Sequence, residues 1–111
     1  PNTFDCSTTG PNTVTLTLTD DGGLTNSCPS IVTVLDTITP TIACMDTTVY
    51  LDINGLVSID SSFVDAGSFD NCADLTLSLD TMNFTCAQAG IISVTMTASD
   101  PSGNMVSCTS T

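Results

Sequence analysis

Apolar and hydroxyl side chains alternate along much of this chain, and that period of two predicts β-strands. The alternation reads VTLTLT at 14–19, LTLSLD at 75–80 and VTMTAS at 94–99. In a strand it places the apolar residues on one face and the threonines and serines on the other. No stretch of about ten residues has the 3.6-residue period of an amphipathic helix. We therefore expect an all-β fold.

Turn-forming residues separate the predicted strands. Asn54-Gly55 is a hairpin signal, and the segments 20–23 and 100–104 have the composition of tight turns. Beyond the connector that ends at Pro40, strands are expected near 41–44, 47–53, 56–60, 75–80, 83–86, 91–99 and 105–111. Seven short antiparallel strands in this length predict an immunoglobulin-like antiparallel β-sandwich.

The chain also repeats itself, because residues 1–31 recur at 81–111 with a constant offset of 80 and no gap. The matching pairs include Phe4/Phe84, Cys6/Cys86, Gly10/Gly90, Val14/Val94, Asp20/Asp100 and Cys28/Cys108. Such self-similarity predicts a tandem repeat of about 80 residues. We expect 1–35 to be the C-terminal part of a preceding immunoglobulin-like repeat. Residues 36–111 would be a nearly complete repeat, truncated in its last strand.

The charge composition excludes several classes of partner and activity. The chain has no Lys, Arg or His, and its 12 acidic residues, all Asp, give a net charge of −12. Because phosphate binding needs basic side chains, this composition excludes nucleic acid and an anionic membrane surface as partners. No apolar run is long enough for a transmembrane helix, so we expect no direct membrane insertion. Without His or Lys there is no ordinary general base, and we expect no enzymatic activity and no organic cofactor.

Several short motifs resemble those of a known family. Ile42-Ala43-Cys44, Asp70-Asn71-Cys72, Asp100-x-x-Gly103-Asn104 and Ser107-Cys108 resemble the hyalin-repeat family of immunoglobulin-like modules. Phe84-Thr85-Cys86 and Asp52-x-Asn54-Gly55 are similar to the long repeat arrays of Bacteroidetes surface proteins, including gliding-motility adhesins. This resemblance implies export by the type IX secretion system and a long, stalk-like protein at the cell surface.

The six cysteines predict disulfides made outside the cell, since they lack the CxxC and His partners of a zinc site. In such a sandwich the first and last strands run side by side, so we pair Cys44 with Cys108. Cys72 and Cys86 flank the 75–80 hairpin and are paired with each other. Cys6 and Cys28 would then bond to cysteines of the truncated preceding repeat. The alternative pairing is Cys6–Cys28, Cys44–Cys72 and Cys86–Cys108.

A second candidate site is a group of acidic residues. The geometry of the sandwich would bring loop residues and the incoming connector to one end, at a junction between repeats. The residues concerned are Asp36, Asp65, Asp70, Asn71 and Asp100. Carboxylates without counter-ions repel one another, and Ca²⁺ would remove that repulsion and stiffen the junction. The alternative is a set of solvated turn aspartates that accept hydrogen bonds from backbone amides.

The resemblance also implies a covalent modification and a function. The Asp-(Ser/Thr)-apolar pattern that it implies for O-glycosylation occurs at Thr37, Thr47 and Thr81. We expect a disulfide-stapled structural repeat of a secreted, cell-surface adhesin or extracellular filament. The expected partners are neighbouring repeats of the same chain and, in a filament, other chains by lateral self-association. The alternative is a repeat that itself binds polysaccharide or a partner surface protein.

Overall fold

The computed structural model describes residues 2–111, and its regular structure consists of strands and short 3₁₀ turns, with no α-helix in that range. The chain divides into two compact units, Pro1–Thr37 and Ile38–Thr111. We call them the first and the second unit. The all-β prediction is confirmed, in the form of small antiparallel sheets of two and three strands.

The first unit is built on one long hairpin. Strands β1 (Gly10–Thr19) and β2 (Thr25–Val34) pair antiparallel along their whole length. A 3₁₀ turn at Cys6–Thr8 precedes them, and the Asp5 carboxylate caps this turn by accepting from the Ser7 amide. No residue of β1 or β2 is fully buried, and most of their side chains are exposed.

The second unit contains five short strands in two sheets. Strands β3 (Leu56–Ser58) and β5 (Asn83–Thr85) form one antiparallel pair. Strands β4 (Thr76–Leu79), β6 (Val94–Ser99) and β7 (Met105–Ser110) form the other sheet in the order β4-β6-β7. Isolated bridges join Thr41 to Phe69 and Cys44 to Asp65, and 3₁₀ turns occupy Ser61–Phe63 and Cys86–Gln88.

The core of the second unit lies between these sheets. Val94, Met96 and Ala98 are buried while the alternating residues of β6 are only half-buried, which confirms the period of two read from the sequence. Ile59 and Phe84 cluster with Val94 from the other side. The burial of these apolar side chains is the main stabilising contribution in a unit of this size.

Two predicted strands, 41–44 and 47–53, are absent, and the other five are shorter than expected. Residues 41 and 44 form only isolated bridges, the predicted 91–99 strand begins only at Val94, and the predicted 56–60 strand ends at Ser58. The pattern of alternation describes the side-chain faces correctly in these segments. A strand also requires a neighbour for its backbone groups, and within the described residues 48–51 and 90–93 have none.

The segments that match in sequence also match in local structure. Leu16 lies opposite Cys28 in the β1–β2 pair, and Met96 lies opposite Cys108 in the β6–β7 pair, so the two hairpins have the same register at an offset of 80. Their environments differ sharply. Leu16 is 68% exposed, whereas Met96 is 0% exposed, because only the second unit supplies a layer that covers this face.

Candidate functional site

The covalent staple of the second unit is the Cys44–Cys108 disulfide, which is the pairing that the sequence predicts. It joins two residues separated by 64 positions, with 6.1 Å between their Cα atoms. Cys44 is positioned by its bridge to Asp65, and Cys108 by its place in β7 opposite Met96. The bond therefore closes almost the whole second unit into one covalent loop.

The predicted Cys72–Cys86 bond is wrong. Cys86 is an exposed free thiol, whereas Cys72 takes part in another disulfide. Cys86 begins a 3₁₀ turn, and its Sγ faces the turn at Gly55, 3.8 Å from the Gly55 carbonyl oxygen. The alternative pairing is also excluded, because it requires Cys44 to bond with Cys72.

The expected pairing of Cys6 with a cysteine of a preceding repeat is wrong, because Cys6 is disulfide-bonded in the structure. Cys28 is exposed and free. Its bond to a preceding repeat stays a prediction.

Two of the predicted calcium ligands are engaged in their own turns. Asp65 Oδ1 accepts hydrogen bonds from the Ser68 hydroxyl at 2.7 Å and the Ser68 amide at 2.9 Å. Asp100 accepts from the Asn104 side-chain amide at 2.7 Å and from its backbone amide at 2.9 Å. The Ser68 hydroxyl and the Asn104 side chain are the main causes that hold the pKa of Asp65 and of Asp100 below the usual value. These aspartates act as turn caps.

Asp70 differs from these two residues. One of its oxygens, Oδ2, accepts from the Cys72 amide at 3.2 Å, whereas the other, Oδ1, is buried and has no hydrogen-bond partner. A buried carboxylate oxygen without a partner is costly, and a cation would offset that cost. Asn71 directs its side-chain amide toward Cys72 Sγ at 3.6 Å, and Asp36 is half-buried in the first unit.

Asp65 and Asp100 therefore do not form part of the expected group of acidic residues. Among residues 2–111, neither Asp65 nor Asp100 belongs to a group of three or more acidic or cysteine side chains whose ligand atoms lie within 4.8 Å of one another. Each of these two carboxylates instead accepts hydrogen bonds from groups of its own turn. Of the predicted ligands in the second unit, Asp70 has the carboxylate oxygen that best fits a cation, because Oδ1 is buried without a hydrogen-bond partner.

The predicted glycosylation sites differ in accessibility. Thr37 is exposed, whereas Thr47 and Thr81 are half-buried. The Thr47 amide also donates to the Thr111 carbonyl at 3.1 Å, which holds the local backbone in place. A glycosyltransferase needs an accessible hydroxyl, so Thr37 is the best placed of the three. Glycosylation itself stays a prediction.

Sequence reasoning missed an open groove of about 840 Å³ in the second unit. One side is formed by residues 46–51, the other by 88–92, and Ser110 and Thr111 lie at one end. Its apolar lining comes from Val49, Val57, Ile59, Phe84, Ile92 and Val94. The alternation of strands at 47–53 and 91–93 is visible in the sequence. Only the structure shows that these segments pair with no strand and border a groove.

The aromatic residues do not converge on this groove. Tyr50 lines it and is 83% exposed, whereas Phe63 and Phe69 are exposed elsewhere and are not part of the lining.

The comparisons identify no relative. No protein-family model, no curated protein and no solved structure matches the chain. The resemblance to hyalin repeats accordingly stays a prediction. Within residues 2–111 there is also no helix with the length and hydrophobicity needed to cross a bilayer.

Proposed function

We propose that this chain is part of a tandem array of immunoglobulin-like modules in an extracellular, surface-exposed adhesin or filament, where it acts as a force-bearing stalk. The observation that carries this proposal is the position of the Cys44–Cys108 disulfide. It links the beginning of the second unit to its end and encloses the core residues Ile59, Phe84 and Val94.

The mechanical consequence follows from the covalent path. A force applied at the two ends of the second unit passes along 38–44, through the disulfide, and on to 108–111. The 64-position loop carries no direct tension, so it cannot be pulled out while the bond is intact. At about 3.3–3.6 Å per residue, the bond withholds about 220 Å of extension. A module of this kind keeps its length under load.

The repetition is supported by the matched hairpins. β1–β2 and β6–β7 share one register at an offset of 80, and the hairpin of the first unit leaves apolar residues such as Leu16 uncovered. An uncovered apolar face is what half of a module would present. Contact between Phe84 on the β3–β5 sheet and Val94 on the β4-β6-β7 sheet supports the two-layer sandwich.

The extracellular setting is supported by the disulfides, because such bonds persist in oxidising compartments. The high negative charge of −12 keeps neighbouring surfaces apart and favours solubility. The chain's lack of His, Lys and Arg leaves few groups for catalysis, in keeping with a structural role.

Single-molecule force spectroscopy tests this proposal. The chain is pulled from handles attached at residues 38 and 111, the two ends of the second unit, with and without a reductant in the buffer, so that the Cys44–Cys108 bond sets the gain in length on reduction. We expect the 45–107 loop to stay folded or unextended in the oxidised chain, and a gain of about 220 Å in contour length after reduction. Extension of that loop at low force in the oxidised chain would contradict a load-bearing role.

A second candidate function is binding of a ligand by the module itself, and the groove is the observation that favours it. Its lining consists mostly of aliphatic and hydroxyl side chains, with two aromatic residues, Tyr50 and the buried Phe84, and one acidic residue, Asp46. Carbohydrate sites depend on aromatic faces and several converging polar groups, so this lining suits a peptide segment of a partner protein better than a sugar. A glycan array probed with the labelled chain distinguishes the two, and strong glycan binding would favour the carbohydrate.

A further inference from the structure

Strand β4 is an edge strand in the middle of the second unit. The sheet order β4-β6-β7 gives it a partner on one side only, and its ladder with β6 runs without interruption from Thr76 opposite Ser99 to Leu79 opposite Met96. The chain is described on both sides of β4, so its place at the edge is set by the fold of the unit. An edge strand has a row of N–H and C=O groups that its own sheet leaves unpaired.

The unpaired groups of β4 belong to its two leucines. The Asp80 amide donates to the Thr95 carbonyl at 3.1 Å, one residue pair beyond the end of β4. Opposite residues in an antiparallel ladder alternate between pairs that exchange hydrogen bonds and pairs that do not. Ser78 therefore bonds to β6, whereas Leu77 and Leu79 direct their N–H and C=O groups away from it. In the described part of the chain, no other segment bonds to these four groups.

The side chains of β4 indicate what kind of strand would fit beside it. Leu77 and Leu79 are half-buried, whereas Thr76 and Ser78 are exposed. Because opposite residues of a ladder share a face, an added strand would place apolar residues opposite the two leucines and hydroxyl residues opposite Thr76 and Ser78. β4 itself contains no Pro, no charged residue and no bulge, the features that commonly protect an exposed edge.

Negative charge lies at both ends of β4. Asp74 precedes the strand and Asp80 follows it, and both are exposed. Asp80 Oδ1 accepts from the Thr95 amide at 3.0 Å, which holds this carboxylate at the end of the strand. Since the chain has no Lys, Arg or His, none of its own side chains can neutralise either charge. The charges therefore distinguish between the candidate occupants of the edge.

A second copy of the chain is a poor occupant of this edge. If two copies of β4 paired antiparallel about Ser78, Asp80 of each copy would lie at the end of the strand near Asp74 of the other. Like charges would then meet at both ends, with no cation in either copy. A segment with Lys or Arg at both ends would instead bring opposite charges together, and the net charge of −12 would steer it toward the chain.

From these observations we propose that the open edge of β4 binds an extended segment of a basic partner protein, which adds to the β4-β6-β7 sheet as an antiparallel fourth strand. The backbone groups of Leu77 and Leu79 hold the segment, its apolar side chains lie against the two leucines, and its terminal Lys or Arg residues face Asp74 and Asp80. This inference does not rest on the proposed stalk function or on the groove, because it uses only the β4 ladder and the charges that flank it.

The test uses the whole chain, labelled with nitrogen-15 and with its free thiols blocked by iodoacetamide. The probe is the peptide Lys-Val-Thr-Val-Thr-Lys, whose valines lie opposite Leu79 and Leu77 when it pairs antiparallel with β4. Amide chemical shifts are followed by NMR as the peptide is added. We expect saturable shifts and slower hydrogen exchange at the Leu77 and Leu79 amides, because both gain an acceptor. The Ser78 amide, which is already bonded to β6, should change less.

Matched changes in the peptide separate strand pairing from attraction between charges. N-methylation of its two valines removes the N–H groups that would bond to the Leu77 and Leu79 carbonyls, and should abolish binding. N-methylation of its two threonines, whose N–H groups point away from β4, should keep it. A peptide with Glu in place of both lysines should not bind, since it brings like charges to Asp74 and Asp80. None of these changes alters the fold of the chain.

Variants of the chain test the role of the flanking charges. Asp74→Asn/Asp80→Asn should weaken binding about fivefold, because an exposed ion pair contributes only modestly to affinity. The matched control is Asp46→Asn/Asp52→Asn, which changes the net charge equally and keeps an acceptor oxygen for the amides that these residues cap. It should bind the peptide as the parent does.

Three results overturn the proposal. They are unchanged Leu77 and Leu79 amides at high peptide concentration, equal loss of binding with methylated valines and with methylated threonines, and shifts confined to 46–51 and 88–92. The last result would place the peptide in the groove. Shifts at Leu77 and Leu79 that require the valine N–H groups and weaken without the flanking carboxylates support it.

Discussion

Cys86 Sγ rests against Gly55, 3.8 Å from the Gly55 carbonyl oxygen, in a turn where Gly55 has a φ of +75°. A Cβ added at Gly55 would lie 2.5 Å from that sulfur. The glycine is thus required twice, by its left-handed backbone and by the side chain that lies over it. Cys86 occupies this space as a free thiol.

The first prediction follows from this contact. Gly55→Ala should destabilise the chain by about 2 kcal/mol, because the strain of a positive φ adds to the clash with Cys86. Gly103→Ala is the matched control, since Gly103 has a φ of +92° and nothing within 4 Å of its added Cβ, so it should cost about 1 kcal/mol. Urea denaturation measures both. If Cys86→Ala does not reduce the effect of Gly55→Ala in the double variant, the clash is not its cause.

The second prediction concerns the disulfide. Replacing Cys44 and Cys108 with Ala should lower the free energy of unfolding by about 4 kcal/mol, as chain entropy predicts for a loop of this length. Cys86→Ala removes an exposed free thiol and should change it by less than about 1 kcal/mol. Equilibrium denaturation under non-reducing conditions compares the three chains. Equal stability of all three would show that the loop contributes nothing.

The third prediction concerns acid. The folded pKa of Asp65 is lowered, chiefly by the Ser68 hydroxyl, from the usual value of about 3.9. A carboxylate with a depressed folded pKa stabilises the fold above its unfolded pKa, and this contribution is lost as the pH falls through the lower folded value. The melting temperature should therefore decrease as the pH is lowered below about 4.

The Ser68→Ala variant tests the cause. It removes the main donor to Asp65, so its melting temperature should depend less on pH below about pH 4 than that of the parent. Ser102→Ala, which alters an exposed turn serine, serves as control and should keep the parent's slope. A parent-like slope in Ser68→Ala as well would show that this hydrogen bond does not set the pKa of Asp65.

The fourth prediction concerns calcium. Because Asp70 Oδ1 is buried without a hydrogen-bond partner, millimolar Ca²⁺ should raise the melting temperature and a chelator should reverse the rise. Asp70→Asn should abolish this response, whereas Asp65→Asn should keep it, since Asp65 is engaged in its own turn. Differential scanning calorimetry in calcium and in chelator measures the response. Indifference of the parent chain to both would refute the calcium site.

Local patterns account for the parts of the fold that were predicted correctly. The alternation in 94–99 identified β6 and its buried face, and the matched segments share a register as well as a sequence. The choice of Cys44 with Cys108 relied on the side-by-side first and last strands of a sandwich. The failures are long-range. The Cys72–Cys86 pairing assumed that two cysteines flanking a hairpin would meet, but the side chain of Cys86 turns toward Gly55.

By itself, the sequence determined the all-β class and the register shared by the two hairpins, and its composition fixed the net charge of −12. Those properties depend on periodicity and composition, which are local or summed quantities. Only the tertiary structure decided which thiols remain free, which aspartates cap their own turns and where an open groove is left beside β6. These outcomes depend on distances between residues far apart in the chain, and a β-strand or a disulfide exists only when its partner is within reach.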